Sequence, residues 1–448
     1  MFFFYICSPQ NDYMIKNRKI LILIYAVLAL MAAACSKFPF FGEDAYSDKR
    51  NVMLLYSAGY NSLSSFLKED ISDLTKGWIP ESGKDENILL VYSHNRKSGG
   101  YETPNPPVLY RMYKNRKGVT VKDTLKTYTK ETHSATAEQL NEVLNYVKTA
   151  FPAKSYGMIF SSHATGYLPA GYYGNPGQYV FKEKSGMRRR QGKNIHTTNP
   201  VPYYAPDFDP SLPAVKSIGQ DQIGTSGNYL SYEIELDDFA EAIPMPLEYI
   251  LFDACLMGGI EVAYELREKC RYVGFSQAEV LAEGFDYSKL AGHLIGTDTP
   301  DPKSVCDDYF QQYDIQTGIY HSATISMIDC TKLEPLADLC HILFEKYRTE
   351  IDQLDPNKIQ RFYRSRYHWF YDMEDIITKA GAAEDELSQL QSALSDCVVY
   401  KAATPSFMED FDINVFSGFS MYLPCHGNEE LDKFYQTLAW NKATSLVK

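Results

Sequence analysis

The run Tyr249-Ile250-Leu251-Phe252-Asp253-Ala254-Cys255-Leu256-Met257-Gly258-Gly259 constrains the fold of this chain more than any other stretch. Four apolar or aromatic residues lead into an acid, a small residue and a thiol. Two glycines then open a helical pattern. The run reads as a buried strand that delivers a cysteine to a strand-to-helix turn. Such turns are where open α/β sheets keep their chemistry. Side chains at i and i+2 share a face of a strand, so Asp253 and Cys255 are expected to point the same way.

The pattern recurs along the chain. Asn51 to Tyr56 and Ile88 to Tyr92 read as buried strands. Val108 to Tyr113, with Val119 and Val121, reads as a hairpin-like pair, and Tyr156 to Ser161 as a strand ending at Ser162-His163. Tyr272 to Ser276, Ala323 to Asp329 and Gly418 to Leu423 are further strands. Helical periodicity covers Leu63 to Leu74, Ala137 to Ala150 behind Thr136, Leu236 to Ile243, Ile260 to Lys269, and the stretch after Asp329 through residue 347. Residues 350–400 read as mainly helical. Strands alternating with helices predict an α/β fold, a three-layer αβα sandwich with a largely parallel central sheet. The expected division is a leader over 1–34, a tether over 35–49, a core over 50–345 and a mostly helical C-terminal subdomain over 346–448. A late strand of that subdomain would complete the cleft. Residues 166–230, rich in Gly, Pro, Tyr and Asn, are expected to be an insertion.

Lys16, Arg18 and Lys19 precede the apolar run Ile20 to Met31, which is the length of a signal core and short for a membrane span. Ala32-Ala33-Ala34-Cys35-Ser36 resembles a bacterial lipobox, so Cys35 is the expected site of lipidation. That makes the mature chain an exported lipoprotein of the bacterial envelope, anchored to a membrane. Plain cleavage after Ala34 is the alternative. The net charge of −13 argues against nucleic acid as a partner and suits a cationic one. There is no Gly-rich dinucleotide fingerprint, no phosphate-loop lysine and no paired-histidine motif, so nucleotides and a metal gain no support. Past Cys35, Cys255, Cys270, Cys306, Cys330, Cys340, Cys397 and Cys425 form an odd set with no CxxC, which leaves a thiol unpaired.

His163 ends one expected strand and Cys255 another. On neighbouring strands they would project from one sheet edge, as a cysteine nucleophile and its proton-handling imidazole must. A free thiol, with a pKa of about 8.5, is only a few per cent thiolate at neutral pH, so a nearby His or a helix N-terminus must assist. Either residue alone is more often structural; both at strand ends favour function.

These residues carry a resemblance. Ser161-Ser162-His163-Ala164-Thr165-Gly166 and Phe252-Asp253-Ala254-Cys255-Leu256-Met257-Gly258 resemble the His and Cys motifs of the clostripain family of cysteine peptidases, relatives of caspases, gingipains and legumain. The run from Asn51 to Asn61, the segment Thr324 to Asp329 with Lys332-Leu333, and Ser417 to Pro424 resemble other family signatures. The resemblance implies a caspase-like fold and an endopeptidase that cuts after Arg or Lys. Cys255 would be the nucleophile and His163 the general acid. The amides of Ala164 and Cys255 would form the oxyanion hole. Asp253 would bind the basic side chain of the substrate, with a helix N-cap as its structural alternative. Ser276 and Glu279 would lie in the substrate cleft, with Asp372, in Trp369-Phe370-Tyr371-Asp372, on its wall. The family pattern places Gly after the His. Here it is Ala164, whose Cβ conflicts if that position needs φ > 0. Lys184, Arg188, Arg189, Arg190 and Lys193 are candidate self-cleavage sites, since family members are often zymogens cut between the His and the Cys. Some relatives use calcium, but no Ca²⁺ loop is present, so no cofactor is expected to be required. The expected partners are protein or peptide substrates with basic residues, and the chain is expected to be a monomer. The alternative is a weak or inactive caspase-like surface lipoprotein that binds peptide or carbohydrate.

Overall fold

In the computed structural model, residues 47–96, 105–184, 196–202, 215–216, 219–225, 228–364 and 368–448 are described. The leader, Cys35 and nearly all of the tether lie outside them, as do Arg188, Arg189, Arg190 and Lys193. The central sheet has nine strands: β1 (Ser47–Gly59), β2 (Ile88–Asn95), β3 (Val108–Lys114), β4 (Thr120–Thr127), β5 (Ala153–Ser161), β6 (Leu247–Asp253), β7 (Cys270–Phe275), β8 (Thr324–Asp329) and β9 (Val398–Ala403). Their spatial order is β9-β8-β7-β6-β5-β1-β2-β3-β4. The pairs β1–β2, β5–β6 and β6–β7 are parallel, while β3, β4, β8 and β9 pair antiparallel at the flanks.

The inner strands are apolar along their length because helices cover both faces of the sheet. The helices α1 (Ser64–Leu74), α5 (Tyr287–Ile295) and α6 (Pro302–Asp314) pack in series as one layer. The helices α2 (Ala137–Ala150), α3 (Leu236–Ala242), α4 (Ile260–Leu266), α9 (Ala439–Thr444), α7 (Leu333–Lys346) and α8 (Glu384–Cys397) form the other. In α2 the Thr136 hydroxyl caps the first turn by accepting the Gln139 N–H at 3.2 Å. Leu140, Val143, Leu144 and Val147 of α2 are buried, a 3, 4 and 7 spacing that faces one stripe to the sheet. On that side Tyr92, Tyr56, Phe160 and Phe252 line up across four adjacent strands, with ring centroids 4.4, 5.5 and 6.2 Å apart. Phe239 of α3 packs on Phe160 and Phe252. Residues one position along each strand therefore face the other layer.

Two elements differ from the sequence reading. Val398 to Tyr400 close the stretch read as mainly helical, yet they open the edge strand β9. α8 runs straight into that strand with no Gly or Pro between them, so no breaker marks the change of period. The late strand is short, Ser420–Met421, and pairs with Tyr371–Asp372 outside the central sheet. Residues 48–448 form one compact unit, to which the mostly helical C-terminal stretch contributes β9, α8 and α9. Within the insertion, Val201–Pro202, Asp221–Thr225 and Asn228–Tyr232 make a small antiparallel sheet. No helix among the described residues is long and apolar enough to cross a membrane.

Candidate active site

β5 and β6 run in register from Gly157 opposite Tyr249 to Ser161 opposite Asp253. His163 and Cys255 each follow the last pair by two residues, so they leave neighbouring parallel strands at the same level. Asp253 is fully buried, and its Oδ2 accepts hydrogen bonds from Ser161 Oγ at 3.0 Å and Tyr287 Oη at 2.6 Å. The carboxylate thus faces α5, away from the aromatic row. Burial, followed by the charges of Asp253 and Cys255, pushes up the pKa of the Tyr309 hydroxyl in α6. The N-cap of α4 is Gly259, so Asp253 is not that helix's cap.

The Cys255 turn is held tightly. Leu256, directly after Cys255, has φ of 59°, which costs a branched L-residue strain. Its N–H donates to Ala278 O at 2.9 Å, and the Gly258 N–H donates to Ser276 O at 2.7 Å. A Cβ on Gly258 would stand 2.6 Å from the Gln277 backbone nitrogen, so only glycine fits this zipper. The Cys255 side chain is buried, and its Sγ accepts the Val280 N–H at 3.1 Å. Burial pushes the thiol pKa well up and the charge of Glu279 adds to this, while the Val280 N–H and Arg364 pull the other way. In this conformation the Cys255 thiol is buried, and its surroundings favour the protonated form.

His163 is also buried, and its Nε2 lies 2.8 Å from Ser62 Oγ. Ala164 is buried with an ordinary negative φ, so its Cβ brings no backbone conflict. The residue in the left-handed region is Gly166, at φ of 60°, where a Cβ would meet Leu256 O at 2.5 Å. The His loop and the Cys turn therefore touch through a glycine two positions beyond Ala164.

The other expected site residues have distinct partners. Glu279 is buried, and both of its oxygens accept from the Arg364 guanidinium, at 2.7 and 2.8 Å. Ser276 Oγ lies 2.8 Å from Thr324 Oγ1 and donates to Ala278 O at 3.1 Å, which shapes the turn after β7. Asp372 is a helix cap: Oδ1 accepts the N–H groups of Glu374 and Asp375, and Oδ2 that of Ser417. Burial raises its pKa to about 6. Lys184 Nζ lies 2.8 Å from Glu235, 2.6 Å from Asp237 and 3.1 Å from Asp238. That ammonium fills the one group of carboxylates among the described residues close enough together to share a cation.

Parts of the insertion pair with the segments beside Cys255 and His163. Its segment Val215–Lys216 pairs antiparallel with Val280–Leu281, the strand whose amide holds the thiol. Beside His163, the Gln222 N–H donates to Tyr60 O at 2.9 Å and Asn61 Nδ2 to Gln220 O at 2.7 Å. The Asp221 carboxylate accepts the Ser134 N–H and, at 2.5 Å, the Ser134 hydroxyl, with His94 Nδ1 at 3.3 Å. Sequence reasoning missed Ser62, Tyr287 and Arg364. Ser62 stands just past the end of β1, which neighbours β5, and that adjacency would have pointed to it. The run Arg361, Arg364 and Arg366 was a visible basic cluster that the reading passed over.

The chain matches the clostripain family over residues 55–190 and 204–447. A comparison with curated proteins returned no match. Among solved structures, an inactive zymogen C11 protease from Parabacteroides distasonis superimposes with a TM-score of 0.67 at 24% identity, covering 88% of this chain and 98% of that one. A secreted C11 cysteine protease from Bacteroides thetaiotaomicron gives 0.65 at 24% identity, covering 88% and 99%. The same kind of protease in complex with an irreversible peptide inhibitor gives 0.64 at 22%, again covering 88% and 99%. At such identities the superpositions establish the fold, and the match along most of the sequence establishes descent: this chain belongs to the clostripain family of cysteine peptidases.

Proposed function

We propose that the chain is an endopeptidase that cleaves after Arg or Lys, with Cys255 as nucleophile and His163 as general acid. The observation that carries this reading is the β5–β6 register, which brings the imidazole and the thiol off adjacent strands at one level. Cys255 Sγ would bond to the scissile carbonyl carbon, and the C–N bond would break as His163 protonates the leaving amine. Water would then hydrolyse the thioester. The amides of Ala164 and Cys255 would hold the oxyanion, and Asp253 would receive the basic side chain.

The described conformation fits a zymogen. The thiol is buried where its protonated form is favoured, and the insertion pairs with the strand beside it. Self-cleavage within 182–193 would free the insertion. Lys184, tied to three carboxylates, is the least available candidate there, and Arg188, Arg189, Arg190 and Lys193 are favoured. We further propose a lipoprotein, acylated on Cys35 and held as a monomer at the bacterial envelope, that needs no cofactor. Its substrates would be basic proteins or peptides.

The test is hydrolysis of fluorogenic peptides ending in Arg, Lys or Ala, before and after limited trypsin treatment, with a Cys255→Ala control. Turnover of the Arg and Lys peptides alone is expected, unchanged by a chelator. No hydrolysis in any state sinks the peptidase reading and leaves the peptide- or carbohydrate-binding alternative, which the buried thiol also fits. Labelled palmitate incorporated by the wild type and lost in Cys35→Ala checks the anchor.

A further inference from the structure

Three buried thiols that the proposed chemistry does not use gather at one end of the central sheet. Cys270 opens β7, Cys330 follows the last residue of β8, and Cys397 directly precedes β9. The register brings them together. Tyr272 lies opposite Asp329 and Ile328 opposite Val398, so each cysteine stands within two residues of a paired position on one of three adjacent strands. β7 runs away from Cys270 toward the turn that holds the Cys255 thiol, so this end of the sheet is the one remote from the site. A 3₁₀ turn over Cys330–Lys332 begins where β8 stops. The strand alternation ends there, and the Cys330 side chain turns inward to hydrogen-bond with that of Cys270. Cys270 is 4% exposed and Cys330 3%, so the contact is closed off from solvent. Cys397 is a neighbour of Cys330, and its own thiol donates to Leu394 O at 3.4 Å.

Two thiols in side-chain contact, carried by strands that pair through their backbones, have the proximity a disulfide requires. We propose that Cys270 and Cys330 form a disulfide in the oxidised chain, closing a loop of about 60 residues. Each thiol gives up a proton and one electron as the S–S bond forms. A small-molecule disulfide of the glutathione type takes both electrons and both protons and leaves as two thiols. The export proposed above would bring the chain to such an oxidant. The bond to Cys270, and then burial, push the pKa of the Cys330 thiol well up. Exchange is therefore slow once the fold has closed, and the disulfide belongs to the folding stage. The loop it closes carries β7, the turn over 276–280 whose Val280 amide holds Cys255 Sγ, and the helices α5 and α6. That segment is then tied to β8 at the end away from the chemistry.

The experiment maps the cysteines of the full chain folded in a mixture of oxidised and reduced glutathione. Alkylation with iodoacetamide in denaturant, followed by reduction and labelling with N-ethylmaleimide, separates free thiols from paired ones. Cys270 and Cys330 are expected to carry the second label, and Cys255, Cys306, Cys340, Cys397 and Cys425 the first. Mass spectrometry of the unreduced digest should show the segments containing Cys270 and Cys330 joined. Dithiothreitol should lower the thermal unfolding midpoint of the wild type by several degrees and leave that of Cys270→Ala/Cys330→Ala unmoved. Cys270 and Cys330 both carrying the first label in the folded wild type overturns the proposal, as does a bond from Cys330 to Cys397. Both outcomes are read on the wild type, so a variant that fails to fold does not blunt the test. The mapping needs no peptide hydrolysis and is independent of the peptidase reading.

Discussion

At the scale of single residues, Ala164 separates what a side chain does from what a backbone does. Its φ is not in the left-handed region, so its methyl group brings no backbone strain. Ala164→Gly is therefore expected to change kcat by less than about threefold, whereas Ala164→Pro, which removes the N–H proposed to hold the oxyanion, should cost about 10²–10³. Steady-state rates on an Arg peptide check both. Glu261 offers a second residue-scale prediction. It is fully buried, its Oε1 accepts the Tyr422 N–H and the Tyr435 hydroxyl, and its Oε2 has no hydrogen-bond partner among the described residues. Burial raises its pKa to about 7, while those two donors pull against it. The folded chain then holds a proton that the unfolded chain releases near pH 4.5. Stability is fullest below that value and falls as pH rises through 7, by at most on the order of 3 kcal/mol. Urea unfolding from pH 4.5 to 8 should show that decline, and Glu261→Gln should flatten it.

At the scale of elements, the insertion is a graft pinned at a few points. Asp221 is the strongest of these. Burial would raise its pKa, but the His94 and Ser134 contacts win and the net shift is downward. Its contribution is therefore present above the usual carboxylate range and lost as pH falls through it. Asp221→Ala leaves the Ser134 N–H and hydroxyl without the carboxylate that accepts them and should cost about 1–3 kcal/mol. Limited proteolysis should then cut residues 196–230 sooner than in the wild type. Slower or equal cutting would show that the pin lies elsewhere.

The strands β1, β2, β5 and β7 were legible because each is a run of apolar residues that gives way to Gly, Ser or His. Helix α2 was legible to its ends because Thr136 caps it and its apolar spacing is regular. β9 was hidden because its alternation begins where a helix stops without punctuation. That His163 and Cys255 leave neighbouring strands at one level could be read from two strand ends. Their partners could not, because Ser62 and Arg364 reach the site through the order of strands and through a loop, which no local pattern encodes. Asp372 misled the reading because a carboxylate beside aromatic residues serves equally as a wall or as a cap.

At the scale of the whole molecule, the described conformation predicts a change in accessibility. Iodoacetamide should modify Cys255 slowly at pH 7 in the intact chain, because alkylation needs the thiolate. Labelling should rise with pH, and limited trypsin treatment that cuts the insertion should accelerate it at least tenfold. Mass spectrometry of the peptide spanning residue 255 checks both. Equal labelling before and after cutting would mean that the insertion does not guard the thiol.

The covered thiol has a further consequence. Oxidation to sulfenic acid and capture into mixed disulfides follow thiolate character and exposure, as alkylation does. Cys255 has neither in this conformation, and of the described cysteines only Cys425 is exposed. The contacts that cover Cys255 thus also keep it chemically intact among oxidants, so that the molecule ages at its surface before it ages at its centre.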